Sequence, residues 1–115
     1  MMQDAAEKQI KGLQKQFLIQ IEEHPVFQHM GPTEFNDLRK RVFRGTFEAY
    51  RLGIVGIDGV SGRSELFSYF FHWLNDSTAT MTHALQVQVA EMCFRVALES
   101  YRIGSMVAAE RAKVA

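Results

Sequence analysis

An eleven-residue segment occurs twice in this chain. Phe43-Arg-Gly-Thr-Phe-Glu-Ala-Tyr-Arg-Leu-Gly53 is echoed 51 residues later by Phe94-Arg-Val-Ala-Leu-Glu-Ser-Tyr-Arg-Ile-Gly104, with six of eleven positions identical. Two further positions, Ala/Ser and Leu/Ile, are conservative. Bulky residues in both copies recur at spacings of four and three, the period of a helix face, so the chain must accommodate one helical pattern twice.

The flanking sequence extends this into four helices. From Gln3 to Glu23, Ile10, Leu13, Phe17 and Ile21 describe one face of a first helix, with Leu18 beside them. His24-Pro25 ends it, because the residue before proline is pushed out of the helical region and the ring clashes with the preceding turn. Gly31-Pro32-Thr33 opens a second helix, with Thr33 as a cap or Pro32 at the first helical position, where its missing donor is not needed. Phe35, Leu38, Val42, Phe43, Phe47, Tyr50 and Ile54 are expected to carry its buried stripe, and Gly45 to mark a close approach. This helix is expected to finish near Gly53. Ser61 or Ser64 caps a third helix, Glu65 to about Asn75, and Asn75-Asp-Ser-Thr78 opens a fourth that runs to about Lys113. The fourth helix has two apolar stripes, one through Met81, Leu85, Val89, Met92, Val96 and Ile103, the other through Val87, Phe94, Leu98 and Tyr101. Such a helix is covered on two sides.

The expected fold is all-α: a four-helix up-down bundle made of two αα-hairpins, about 3–53 and 61–113, joined by a Gly-rich connector at 53–62. The echo raises internal pseudo-symmetry between the hairpins as an expectation to test. At 115 residues the chain is read as a single helical domain, 1–115, too short for two independent cores.

Composition narrows the function classes. Thirteen basic residues balance thirteen acidic ones, so the molecule as a whole has no field that draws it to nucleic acid or anionic lipid. The polar N-terminus has no apolar segment of secretory length behind it, and no stretch approaches the roughly 20 apolar residues that span a bilayer. The lone Cys93 cannot form an intramolecular disulfide, and the apolar neighbours Val89, Met92, Phe94 and Val96 predict a buried, inert thiol. A cytoplasmic protein with no membrane partner is expected.

Chemistry-bearing motifs are absent. Gly53, Gly56, Gly59 and Gly62 recur every third residue, but the Gly-Lys-Ser/Thr ending of a phosphate-cradling loop is missing. His24, His29, His72 and His83 lack metal-ligand spacing, and neither a His-Glu-x-x-His motif nor paired Glu-x-x-His motifs occur. Ser64 and Ser68 have no visible base partner, and Glu91 and Glu99 are not a catalytic pair on their own. No catalytic residue, metal or cofactor is expected.

Three surfaces remain. Phe67, Tyr69, Phe71 and Trp73 cannot all face one core from a single short helix, and exposed aromatics anchor protein interfaces, so these four form the expected partner-binding site. Arg44-Glu48-Arg51 and Arg95-Glu99-Arg102 line two helix surfaces as palindromic charge sets, either self-paired in solvent or meeting each other antiparallel, within one chain or across a homodimer axis. Arg39, Lys40, Arg41 and Arg44 form a basic cluster for an alternative nucleic-acid reading, diluted by Glu34, Asp37 and Glu48. The function expected is a non-enzymatic helical interaction or regulatory protein, an adaptor or inhibitor. It oligomerises, with a dimer favoured, and binds a protein of unknown identity.

Overall fold

Spacings of three and four become helices throughout the computed structural model, which describes residues 2–25, 28, 30–56, 64–66, 68, 72 and 82–114. The protein is all-α, with no strand among the described residues. Three long helices are α1 (Met2–Glu23), α2 (Pro32–Val55) and α3 (His83–Val114). Residues 65, 66, 68 and 72, within the expected third helix, are helical too, as is Ser64, one of its two candidate caps. The molecule measures 51 × 25 × 17 Å. Its long dimension is set by α3, whose 32 residues extend about 48 Å at 1.5 Å per residue.

Helix ends follow local chemistry, with two shifts from expectation. α1 stops at Glu23, directly before His24-Pro25. Pro32 occupies the first turn of α2 after Gly31, which offers no side-chain cap. α2 runs through Gly53 and stops at Val55, where Gly56 takes a left-handed conformation (φ 85°) and donates its N–H to the Leu52 carbonyl at 3.1 Å. α3 begins after Thr82, whose hydroxyl accepts from Leu85 N–H at 3.3 Å. This corrects the expected start at Asn75-Asp-Ser-Thr78: Thr82 is non-helical and caps the helix itself, and the Asn75–Thr78 cluster lies outside the described residues.

The core is built along one line of α2 and one of α3. Leu38, Val42, Thr46, Ala49 and Gly53 are buried on α2; Val89, Cys93, Ala97, Ser100 and Gly104 are buried on α3. Each residue of the first line lies 51 positions before its counterpart in the second, so the repeat and its flanks occupy matching places in both helices. Small side chains toward the C-terminal end of each line let the backbones close. A Cβ on Gly53 would overlap the Tyr101 carbonyl oxygen and stand 2.9 Å from Ser105 N; a Cβ on Gly104 would overlap the Tyr50 carbonyl oxygen and stand 3.1 Å from Ile54 N. The contact is reciprocal: each glycine meets the backbone of the other copy's tyrosine. α2 and α3 accordingly share the most extensive helix contact of the three.

α1 covers this seam with larger residues. Phe17 and Ile21 join the main core with Leu66, while Ala6 and Ile10 form a second cluster with Tyr50 and Val107. A polar link joins α1 to α2 in the interior: the Gln14 amide donates to Thr46 Oγ1 at 2.6 Å, and the Thr46 hydroxyl donates on to the Val42 carbonyl at 2.8 Å. Ser100 repeats the second step, donating to the Val96 carbonyl at 3.0 Å. Both buried hydroxyls thus donate within their own helices.

The stripe expected on α2 is only partly the buried one. Phe43 and Phe47 stand 38% and 40% exposed, while the smaller Thr46 and Ala49 are fully buried. Close backbone approach selects small residues for the seam and turns the phenylalanines outward. On α3 the buried line takes Val89 from the first expected stripe and otherwise runs between the two stripes, whose members Leu85, Met92, Val96, Phe94, Leu98 and Tyr101 are half-buried.

Candidate functional site

Opposite the seam, α2 presents a second line. Lys40, Arg44, Phe47 and Arg51 follow one another at spacings of four, three and four, two positions out of phase with Leu38, Val42, Ala49 and Gly53. Two positions turn a helix by about 200°, so this line points away from the core, and all four residues are exposed. Phe43 sits beside it between Arg39 and Lys40 in helical projection, and Arg39 is exposed as well. Of the four residues of the expected basic cluster, Arg39, Lys40 and Arg44 therefore face solvent, while Arg41 is half-buried. The nearby carboxylates are Asp37, Glu48 and Glu65, all exposed, and the half-buried Glu34.

The two Arg-Glu-Arg sets are exposed and paired within their own helices. Arg51 grips Glu48 with a fork, Nη2 to Oε1 at 2.5 Å and Nε to Oε2 at 3.2 Å. Arg102 Nη1 reaches Glu99 Oε1 at 2.5 Å at the equivalent place. The pairs join residues three apart, leaving Arg44 and Arg95 with no ion pair among the described residues. The hydrogen bond from Arg51 holds the Glu48 carboxyl below its ordinary value of 4.5, against a smaller opposing effect of burial. In each copy the Glu is thus satisfied by its own helix. Glu91 and Glu99 are exposed, side by side with solvent.

Phe67, Tyr69, Phe71 and Trp73, the expected partner-binding aromatics, lie outside the described residues. Their helical neighbours Ser64, Glu65, Ser68 and His72 are exposed, and Leu66 is buried in the main core. A shallow groove separates Leu66 and Glu65 from the side of α2 at Arg44, Gly45, Glu48 and Leu52. Gly45 thus lies where another segment comes near.

Cys93 is fully buried, and desolvation pushes its thiol far above the ordinary value, as its apolar neighbours predict. No group of three His, Cys, Asp or Glu residues that could hold a metal occurs among the described residues. No helix is long and apolar enough to cross a membrane among them.

Sequence reasoning missed Phe43 and Phe47 as surface residues. Their positions relative to Gly53 held the signal: both fall outside the arc that a helix crossing at that glycine would cover. No protein-family model, curated protein or solved structure matches the chain.

Proposed function

We propose that this chain is a non-enzymatic helical interaction protein, an adaptor or inhibitor that engages a macromolecular partner through surfaces displayed on a rigid pair of helices. The observation that carries this reading is the exposed aromatic pair Phe43 and Phe47, one turn apart on the face of α2 that points away from the core. An aromatic pair left in solvent is a typical anchor of a contact surface.

In this reading the fold is a four-helix up-down bundle of two αα-hairpins related by a pseudo-twofold axis through the Gly53–Gly104 crossing. Reciprocal placement of each glycine on the other copy's tyrosine supports it. Phe67, Tyr69, Phe71 and Trp73 are proposed as further partner contacts on the strength of their sequence pattern. The Arg44-Glu48-Arg51 and Arg95-Glu99-Arg102 faces contribute to self-association, for which their exposure leaves them available. A lone, inert thiol fits a reducing cytoplasm.

Affinity capture from the source cell, followed by sizing of the eluate, tests the reading. The expected result is one stoichiometric macromolecular partner, lost with Phe71→Asp while the variant keeps wild-type helicity. Glu48→Arg together with Glu99→Arg is expected to shift the oligomer toward monomer. A strictly monomeric chain that captures nothing would end the proposal.

A nucleic-acid partner is the second reading, favoured by the three exposed cations Arg39, Lys40 and Arg44 that surround Phe43 and Phe47.

A further inference from the structure

The two copies of the repeat allow a comparison inside one chain. Positions that serve packing match: Leu38/Val89, Val42/Cys93, Thr46/Ala97, Ala49/Ser100 and Gly53/Gly104 are buried in both helices. Positions that differ show what one copy does beyond packing. Arg39, Lys40 and Arg41 of α2 stand where α3 has Ala90, Glu91 and Met92, a change from three cations to one anion. On the outward line, Lys40, Arg44, Phe47 and Arg51 correspond to Glu91, Arg95, Leu98 and Arg102. The rings differ in the same sense: Phe43 and Phe47 are exposed, whereas Phe94 and Leu98 are half-buried. The cations at 39–41 and the solvent-facing rings therefore occur together on α2, whereas α3 keeps only Arg95 and Arg102 at the matching places and has neither exposed ring.

We infer that the outer face of α2 binds single-stranded nucleic acid, with bases stacking on Phe43 and Phe47 and phosphates meeting Arg39, Lys40 and Arg44. This rests on the second reading above and names its partner and residues. Each ring has cations one helical turn away: Arg39 and Lys40 beside Phe43, Arg44 and Arg51 beside Phe47. Arg51 is paired with Glu48 and also feels the charge of Glu65, and Asp37 offsets one further charge, so of the four cations the face keeps a surplus of one. Interleaved rings and cations are what unpaired nucleotides require, since each offers a flat base and a phosphate. Duplex bases are stacked on each other and show the rings no face.

A second copy of this face is a poorer occupant. Laid antiparallel, two copies would place each Glu48 near the partner's Arg44 and Arg51, but Arg39 and Lys40 would find no opposing charge and the rings no flat group between cations. An acidic polypeptide satisfies the charge, but it supplies no flat group for two adjacent rings.

The test is fluorescence anisotropy of a labelled 20-nucleotide oligothymidylate, a duplex of equal length and labelled polyglutamate. The full chain is titrated into each at 50 and 200 mM KCl. The inference predicts saturable binding to the single strand, tighter than to duplex or polyglutamate. It also predicts about a tenfold loss over that salt range, as expected for release of two to three counterions. Phe43→Ala with Phe47→Ala should weaken single-strand binding by about tenfold or more while far-UV circular dichroism is unchanged. Lys40→Glu with Arg44→Glu should abolish it, and Arg95→Gln on the matching face of α3 should leave it as it is. Absence of binding at 50 mM KCl, equal or tighter binding to duplex or polyglutamate, or indifference to the phenylalanine substitutions would each overturn the inference. None of these outcomes touches the interaction-protein reading, which stands or falls on partner capture.

Discussion

Thr46 shows how single residues join the helices. Its hydroxyl accepts from Gln14 of α1 and donates to the Val42 carbonyl, so one buried oxygen is satisfied from two helices. Thr46→Val keeps the shape and removes that oxygen, stranding the Gln14 amide in the interior. Leaving a buried donor unsatisfied costs about 1–3 kcal/mol, so urea unfolding of Thr46→Val is expected to show a loss in that range. The double variant Gln14→Leu/Thr46→Val, which removes both partners, should recover part of it. Residue-scale chemistry was legible in the sequence where the neighbours set it: the inert thiol of Cys93 follows from four apolar residues around it. The Gln14–Thr46 bond was not legible, because it joins residues 32 apart and depends on how α1 lies against α2.

Among elements, α2 separates what a pattern can and cannot reveal. The end of α1 at His24-Pro25 and the entry of α2 at Pro32 follow from proline sterics and were readable. Its exit was misplaced at Gly53, since a glycine late in a helix reads as a stop. Gly53 is there because it has no side chain, and Gly56 ends the helix because of its backbone. Gly56 has open space around it but a φ of 85°, so Gly56→Ala is expected to cost about 1 kcal/mol through backbone strain alone. A D-alanine introduced there by chemical synthesis should restore or raise the stability. The same rule hid the outer face. Hydrophobicity assigns Phe43 and Phe47 to the core by size, whereas a seam closed to backbone contact takes Thr46, Ala49 and Gly53 and leaves the rings outside. The candidate surface became visible once the direction of the seam was known.

At the scale of the whole molecule, the repeat is explained by where its copies meet. The charged Arg-Glu-Arg sets are paired locally in solvent, and the shared glycines face each other across the α2–α3 crossing. All-α architecture follows from periodicity alone; which of two matching surfaces forms the seam depends on close approach, which the hydrophobic pattern does not encode. The direct test is one substitution, Gly→Ala, made at three helical positions and read by thermal unfolding. Gly12 has nothing within 4 Å, so Gly12→Ala is expected to stabilise by up to about 1 kcal/mol, roughly 4 °C. At Gly53 and Gly104 the same propensity gain is opposed by overlap with a carbonyl oxygen that no rotamer can move, and overpacking costs typically about 1–3 kcal/mol. Gly53→Ala and Gly104→Ala should therefore each lower the Tm, and the double variant should lose less than the sum, because the first Cβ already parts the helices. A rise in Tm for all three single variants would contradict the account, since the two copies would then not meet at their glycines.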